Sequence, residues 1–117
     1  MNTIQIPLFP LYTVLFPGGP LPLRVFEPRY LDMVSECMKK NSGFGICLIR
    51  EGREVGEAAA TQRVGTLAEI TYWHMRHDKL LGITVNGQQR FRIVSVKVQP
   101  DNLSVARVEL IQDETEV

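Results

Sequence analysis

His74 and His77, four serines and two cysteines are the side chains of this sequence best suited to chemistry, and their spacing limits each of them. His-x-x-His could grip a metal ion. On a strand, however, the two rings point to opposite faces unless a turn begins between them, and no nearby cysteine or paired carboxylate completes a ligand set. They read as histidines flanking a turn, so no metal is expected. Ser35, Ser42, Ser95 and Ser104 lack a Gly-x-Ser-x-Gly elbow and lie far in sequence from either histidine. A triad assembled in space stays open at this point. Gly43-Phe44-Gly45 opens like a dinucleotide fingerprint, but the third glycine is missing and a strand follows where a helix is needed. No Gly-x-x-x-x-Gly-Lys-Ser/Thr loop occurs. Cys37 and Cys47, without a Cys-x-x-Cys, read as small buried hydrophobes in a reducing cytosol. The expectation is a protein that is not an enzyme, with no catalytic residue and no cofactor.

The elements that would position any site are announced by proline. Six of the seven prolines fall between Ile6 and Tyr30. Each fixes its own φ, removes a backbone donor and pushes the preceding residue toward extended geometry, so Pro7, Pro10, Pro17, Pro20 and Pro22 exclude helix there. The segment is nevertheless strongly apolar. Edge strands joined by a tight Pro17-Gly18-Gly19-Pro20 turn satisfy both facts, with Gly18 a structural residue and some carbonyls left for a partner. Leu8, Leu11, Val14 and Leu23 read as core.

One segment reads as a helix. Pro28 suits its first turn, Glu27 and Asp32 its positive end and Lys39-Lys40 its negative end. Leu31, Val34, Cys37 and Met38 share one face, and Gly43 is placed as the left-handed cap. Beyond it the period falls to two. Strands are expected at Phe44–Ile49, Val64–Met75, Lys79–Val85, Arg90–Val98 and Leu103–Ile111, with a turn at Arg76-His77-Asp78, a hairpin or corner at Asn86-Gly87 and a bulge near Val94. Glu51–Gln62 reads as an exposed loop. The fold class is α+β, mainly β: a small, partly closed sheet of about six strands with one main helix near residues 28–40.

Three blocks, in order, resemble the LON domain, the N-terminal substrate-binding domain of ATP-dependent Lon proteases, also found in small standalone LON-like proteins and cereblon-type adaptors. They are the proline-rich start, Val64-Gly65-Thr66-Leu67-Ala68-Glu69-Ile70, and Val85-Asn86-Gly87-Gln88-Gln89-Arg90-Phe91-Arg92-Ile93. The likeness runs from about Ile4 to Leu110. It implies a PUA-like pseudo-barrel over residues 1–117, a single LON N-terminal-type domain lacking the C-terminal helical bundle of full-length members, and so a surface left uncovered. It implies recognition of unfolded polypeptide or a partner protein, without ATPase or protease activity. The structural positions it marks are Gly65, Gly87 and Arg90. Arg90 could be a ligand contact or a cross-brace for carbonyls, and the brace is preferred because Gly87 beside it reads as backbone engineering.

Phe26, Arg29 and Tyr30 are the polypeptide-binding candidates. Two aromatics beside an arginine at a strand-to-helix junction make the composition that anchors protein contacts. In Lon proteases the corresponding stretch lies in a surface implicated in substrate engagement. The competing reading pairs Glu27 with Arg29 and packs Tyr30 under the sheet.

A chain of 117 residues with 44% hydrophobic and 22% charged residues can bury a core without disulfides or metals. Thirteen basic residues balance thirteen acidic ones, so no net field gathers phosphate and nucleic acid is disfavoured. RNA binding, by analogy with other PUA-like folds, is the alternative function; it would need Arg63, Arg76, Lys79, Arg90 and Arg92 to converge. The apolar N-terminus lacks a basic n-region, and no run approaches the ~20 residues of a membrane span. A cytoplasmic location is expected, and homo-oligomerisation is left open.

Overall fold

The structure is a computed structural model that describes residues 3–51, 60–78 and 80–112. Six strands and one helix follow in the order β1 (Ile4–Leu11), β2 (Pro20–Val25), α1 (Pro28–Lys40), β3 (Phe44–Glu51), β4 (Ala60–Met75), β5 (Leu81–Val98) and β6 (Ser104–Leu110). The sheet order is β2-β5-β4-β3-β1-β6, and β5 pairs with β6 as well. Five strands therefore close on themselves while β2 hangs outside on β5. This is the expected pseudo-barrel of six strands, not a clean barrel.

Strand alternation splits the core into two clusters, one on each face of β1. Ile6 and Leu8 point into the ring with Cys47, Phe91, Ile93, Ala106 and Val108. Phe9 and Leu11 point the other way, beneath α1, with Tyr30, Met33, Val34, Phe44 and Val85. The helix thus lies over one side of the sheet and seals the second cluster.

Pro28 occupies the first turn of α1, and the Glu27 carbonyl accepts from the amides of Tyr30 and Leu31 at 3.0 and 2.9 Å. At the far end Asn41, not Gly43, takes the left-handed conformation, with φ 54°. Asparagine tolerates that region; Gly43 instead lies where the chain passes against the Ala68 carbonyl. The buried face also departs from expectation. Leu31 and Met38 are exposed, and Tyr30 and Met33 join Val34 and Cys37 inside. Val14, expected in the core, is exposed too.

β5 is one strand through Asn86-Gly87, not two strands meeting at a corner. The glycine is needed for a crossing, since a Cβ at Gly87 would collide with the Phe16 carbonyl. Gly18 N–H donates to the Gly87 carbonyl at 2.8 Å, and Gly87 N–H to the Gly19 carbonyl at 2.8 Å. Gly18 itself sits at φ 81° in the turn closed by Gly19 N–H on the Phe16 carbonyl, 2.9 Å. The bulge expected near Val94 appears as a register shift between Ile93 and Ser95. Of the loop expected at Glu51–Gln62, residues 52–59 lie outside the described ones, and Ala60 to Gln62 belong to β4.

Candidate functional site

The strand-to-helix junction resolves into one exposed side chain and two buried ones. Phe26 is 49% exposed. Arg29 is 5% exposed: its Nε donates to Glu27 Oε1 at 3.2 Å, its NH1 group to the Asn102 carbonyl at 2.7 Å, and its guanidinium stands 4.7 Å from the centre of the Tyr30 ring. Tyr30 in turn stacks on Phe9, ring centres 4.2 Å apart and 15° from parallel. Arg29 therefore ties the start of α1 to the turn before β6. Burial takes Arg29 and Tyr30 away from direct contact with a partner, and the local pairing and packing weighed against that role is what the geometry shows. Phe26 lines a cleft of about 520 Å³ with Leu11, Thr13, β2 and Leu80.

Arg90 is exposed beside a second concavity of about 450 Å³ under Val14 and Phe16. Among the described residues its guanidinium braces no carbonyl; its backbone pairs with Thr66 in the β4–β5 ladder, and its carbonyl accepts from Ile111 N–H at 2.8 Å. Gly65 packs closely, a Cβ there lying 2.6 Å from both the Ile46 carbonyl oxygen and the Phe91 ring. The other arginines do not gather on one face: Arg92 pairs with Glu109 at 3.4 Å, Arg63 donates to the Ile93 carbonyl, and Arg76 pairs with Asp78 at the far end of β4. Lys79 lies outside the described residues.

His74 packs over Gly82 and beside Tyr72, ring centres 5.5 Å apart, while His77 belongs to the adjoining turn. Among the described residues no three His, Cys, Asp or Glu side chains come together as a metal would require. Both cysteines are buried thiols. Burial raises the Cys37 pKa and pushes that of Cys47 up to about 12, so both are neutral and weakly nucleophilic at physiological pH.

A third concavity, about 1000 Å³, runs between α1 and β4. It forms because β3 stops pairing with β4 at Phe44↔Ala68, while β4 runs on to Met75 with β5 alone. Met33, Cys37 and Met38 form the helical wall, Ala68, Ile70 and Trp73 the strand wall, and Leu103 and Val105 close the end. Trp73 is 52% exposed at the mouth. The sequence reading missed this groove. The one available signal was that the apolar run of β4 outlasts its β3 partner.

The two open edges near these concavities differ. Proline has no N–H to give, so the β2–β5 ladder is carried by Leu21, Leu23 and Val25 opposite Val85, Ile83 and Leu81. The outer edge of β2 then offers the carbonyls of Pro20, Pro22 and Arg24 and a single N–H, that of Arg24. Such an edge resists further pairing.

Comparison with known proteins places this architecture. The family model described as the ATP-dependent protease La (LON) substrate-binding domain matches residues 5–117. The chain belongs to the LON substrate-binding domain family. A crystal structure of a Lon N-terminal domain protein from Xanthomonas campestris superposes on this LON domain with a TM-score of 0.85 at 36% identity, covering 96% of this chain and 62% of that one. The N-terminal domain of a Mycobacterium avium complex Lon protease shares the fold, with a TM-score of 0.74 at 15% identity over 97% of this chain and 58% of that one. Among curated relatives, Lon protease 2 of Myxococcus xanthus is 30% identical over 94% of this chain and 13% of its own length. Protein cereblon of Xenopus tropicalis is 27% identical over 93% of this chain and 24% of its own. This LON domain thus spans a quarter or less of these curated relatives. The family is a substrate-binding domain, not the catalytic part of Lon. No helix among the described residues is long and apolar enough to cross a membrane.

Proposed function

We propose that this LON domain recognises polypeptide, as unfolded substrate or as a segment of a partner protein, and carries no ATPase or protease chemistry of its own. The observation that supports this most is the groove between α1 and β4, about 1000 Å³ with methionine and tryptophan at its walls. Methionine adapts its shape to varied partners, and tryptophan is a frequent anchor of protein contacts. The apolar part of the groove offers surface to cover and no directional contact, so binding there is broad in specificity and weak. The Phe26 cleft is a secondary contact on the same reading. Buried, reduced cysteines suit a cytoplasmic setting.

Amide hydrogen exchange in the presence of a permanently unfolded, reduced polypeptide tests the proposal. Protection is expected along Met33–Met38 and Ile70–Trp73, with a smaller effect at Phe26. Unchanged exchange at all three, at roughly millimolar polypeptide, contradicts it.

A further inference from the structure

The strand register settles which backbone groups of β4 are unpaired. Because Leu81, Ile83 and Val85 turn their amides toward β2, Gly82, Thr84 and Asn86 turn theirs toward β4. Their partners His74, Tyr72 and Glu69 complete the β4–β5 ladder, with the register shifting at Thr71 between Ile70 and Tyr72. The backbone N–H and C=O groups of Ile70, Trp73 and Met75 therefore point away from β5. On that side β3 has ended at Phe44, and no described strand takes its place. Unlike the outer edge of β2, this edge contains no proline, so it offers donors and acceptors alike.

Side chains at the edge and around the groove define what would fit. Trp73 and Met75 lie opposite Ile83 and Leu81, on the face of the sheet that continues into the core, yet both are exposed. The groove also carries Asp32, Glu36, Glu69 and Asp101 against two cations. One of these, Arg29, is buried and committed to Glu27 and Asn102; the other, Lys40, shares Glu36 at 3.7 Å on an exposed surface. The groove is apolar within and negative at its rim.

We propose that the Ile70–Met75 edge of β4 takes up an extended segment of another polypeptide by strand addition, and that the segment favoured alternates apolar residues with lysine or arginine. The inference rests on polypeptide recognition as the function of the domain and names the edge, the conformation and the charge of what is recognised. Main-chain hydrogen bonds to Ile70, Trp73 and Met75 hold the segment in register, its apolar side chains cover Trp73 and the methionine wall, and its cations meet the acidic rim. Rim charges act mainly on encounter and partner choice, so the preference weakens with salt.

Trp73 is the sole tryptophan of the chain, so its emission reports the edge without a label. The probe is an acetylated peptide alternating valine and lysine, with a valine–glutamate peptide as its counterpart. The expected results are a saturable blue shift of Trp73 and at least about tenfold tighter binding of the valine–lysine peptide at low salt, a preference reduced by Asp32→Asn with Glu36→Gln. Fluorescein-labelled peptide then compares Trp73→Val with Trp73→Pro, which differ at this edge by one outward N–H, and adds Met75→Pro in case the first proline variant fails to fold. Either proline is expected to weaken binding about tenfold relative to Trp73→Val. Equal binding of the two peptides, or of the proline and valine variants, overturns the inference. A blue shift that grows with protein concentration alone, with doubled mass in light scattering, assigns the edge to a second copy and overturns it too. If unfolded polypeptide protects only the Phe26 cleft, strand addition at β4 is wrong and polypeptide recognition stands; if it protects nothing, both fall.

Discussion

Arg29 shows what a single side chain does in this domain. Its guanidinium satisfies Glu27 and the Asn102 carbonyl while lying against the Tyr30 ring, so the start of α1 and the turn before β6 are held by one planar group. Lysine offers a point charge in place of a fork. Arg29→Lys is expected to cost about 1–2 kcal/mol and Arg29→Met about 2–4 kcal/mol, since the latter gives up both charge-assisted hydrogen bonds of the guanidinium. Urea denaturation measures both. Cys47 gives a pH signature. Its pKa in the fold, about 12, exceeds that of an unfolded thiol, so burial of the neutral thiol stabilises the fold fully below the ordinary thiol range. That contribution is lost as pH rises from there toward 12. Stability measured across the alkaline range should fall more gently in Cys47→Ala than in the wild type, from a lower starting value.

Elements were legible where backbone chemistry dictates them and obscure where contacts do. Prolines marked β1, β2 and the start of α1, because the restriction travels with the residue. The end of α1 was misplaced because asparagine and glycine both accept the left-handed region, and the close pass of the chain at Ala68, which a sequence does not display, is what keeps Gly43. The same holds for Asn86-Gly87. Its composition resembles a hairpin, but its role is set by the Phe16 backbone crossing it. Gly87→Ala should therefore destabilise the domain by more than about 2 kcal/mol through collision with backbone. Gly18→Ala, with open space around the Cβ but φ 81°, should cost roughly 1 kcal/mol. Thermal denaturation of the two variants separates crowding from backbone strain. On α1, a 3.6-residue period placed Leu31 and Met38 inside because it cannot show that the helix lies over one side of the sheet only; the rotation that buries Tyr30 and Met33 follows from the Phe9 stack and the Arg29 brace.

At the scale of the whole molecule, the LON fold is a sheet that closes in one half and stays unfinished in the other. Its three marker blocks, and so the family, were readable from sequence. The groove was not, since it depends on β4 outrunning β3 and on how α1 is placed. Of the two aromatics expected to bind polypeptide, Tyr30 is buried and Phe26 exposed, and a further exposed aromatic, Trp73, comes from a strand that periodicity alone presents as ordinary. Emission of Trp73 during titration with a reduced, unfolded polypeptide tests polypeptide recognition at this groove most directly. A saturable blue shift with reduced quenching by iodide is the result expected. Emission and quenching that stay unchanged while the polypeptide demonstrably binds the domain, or while nothing binds at all, would contradict it.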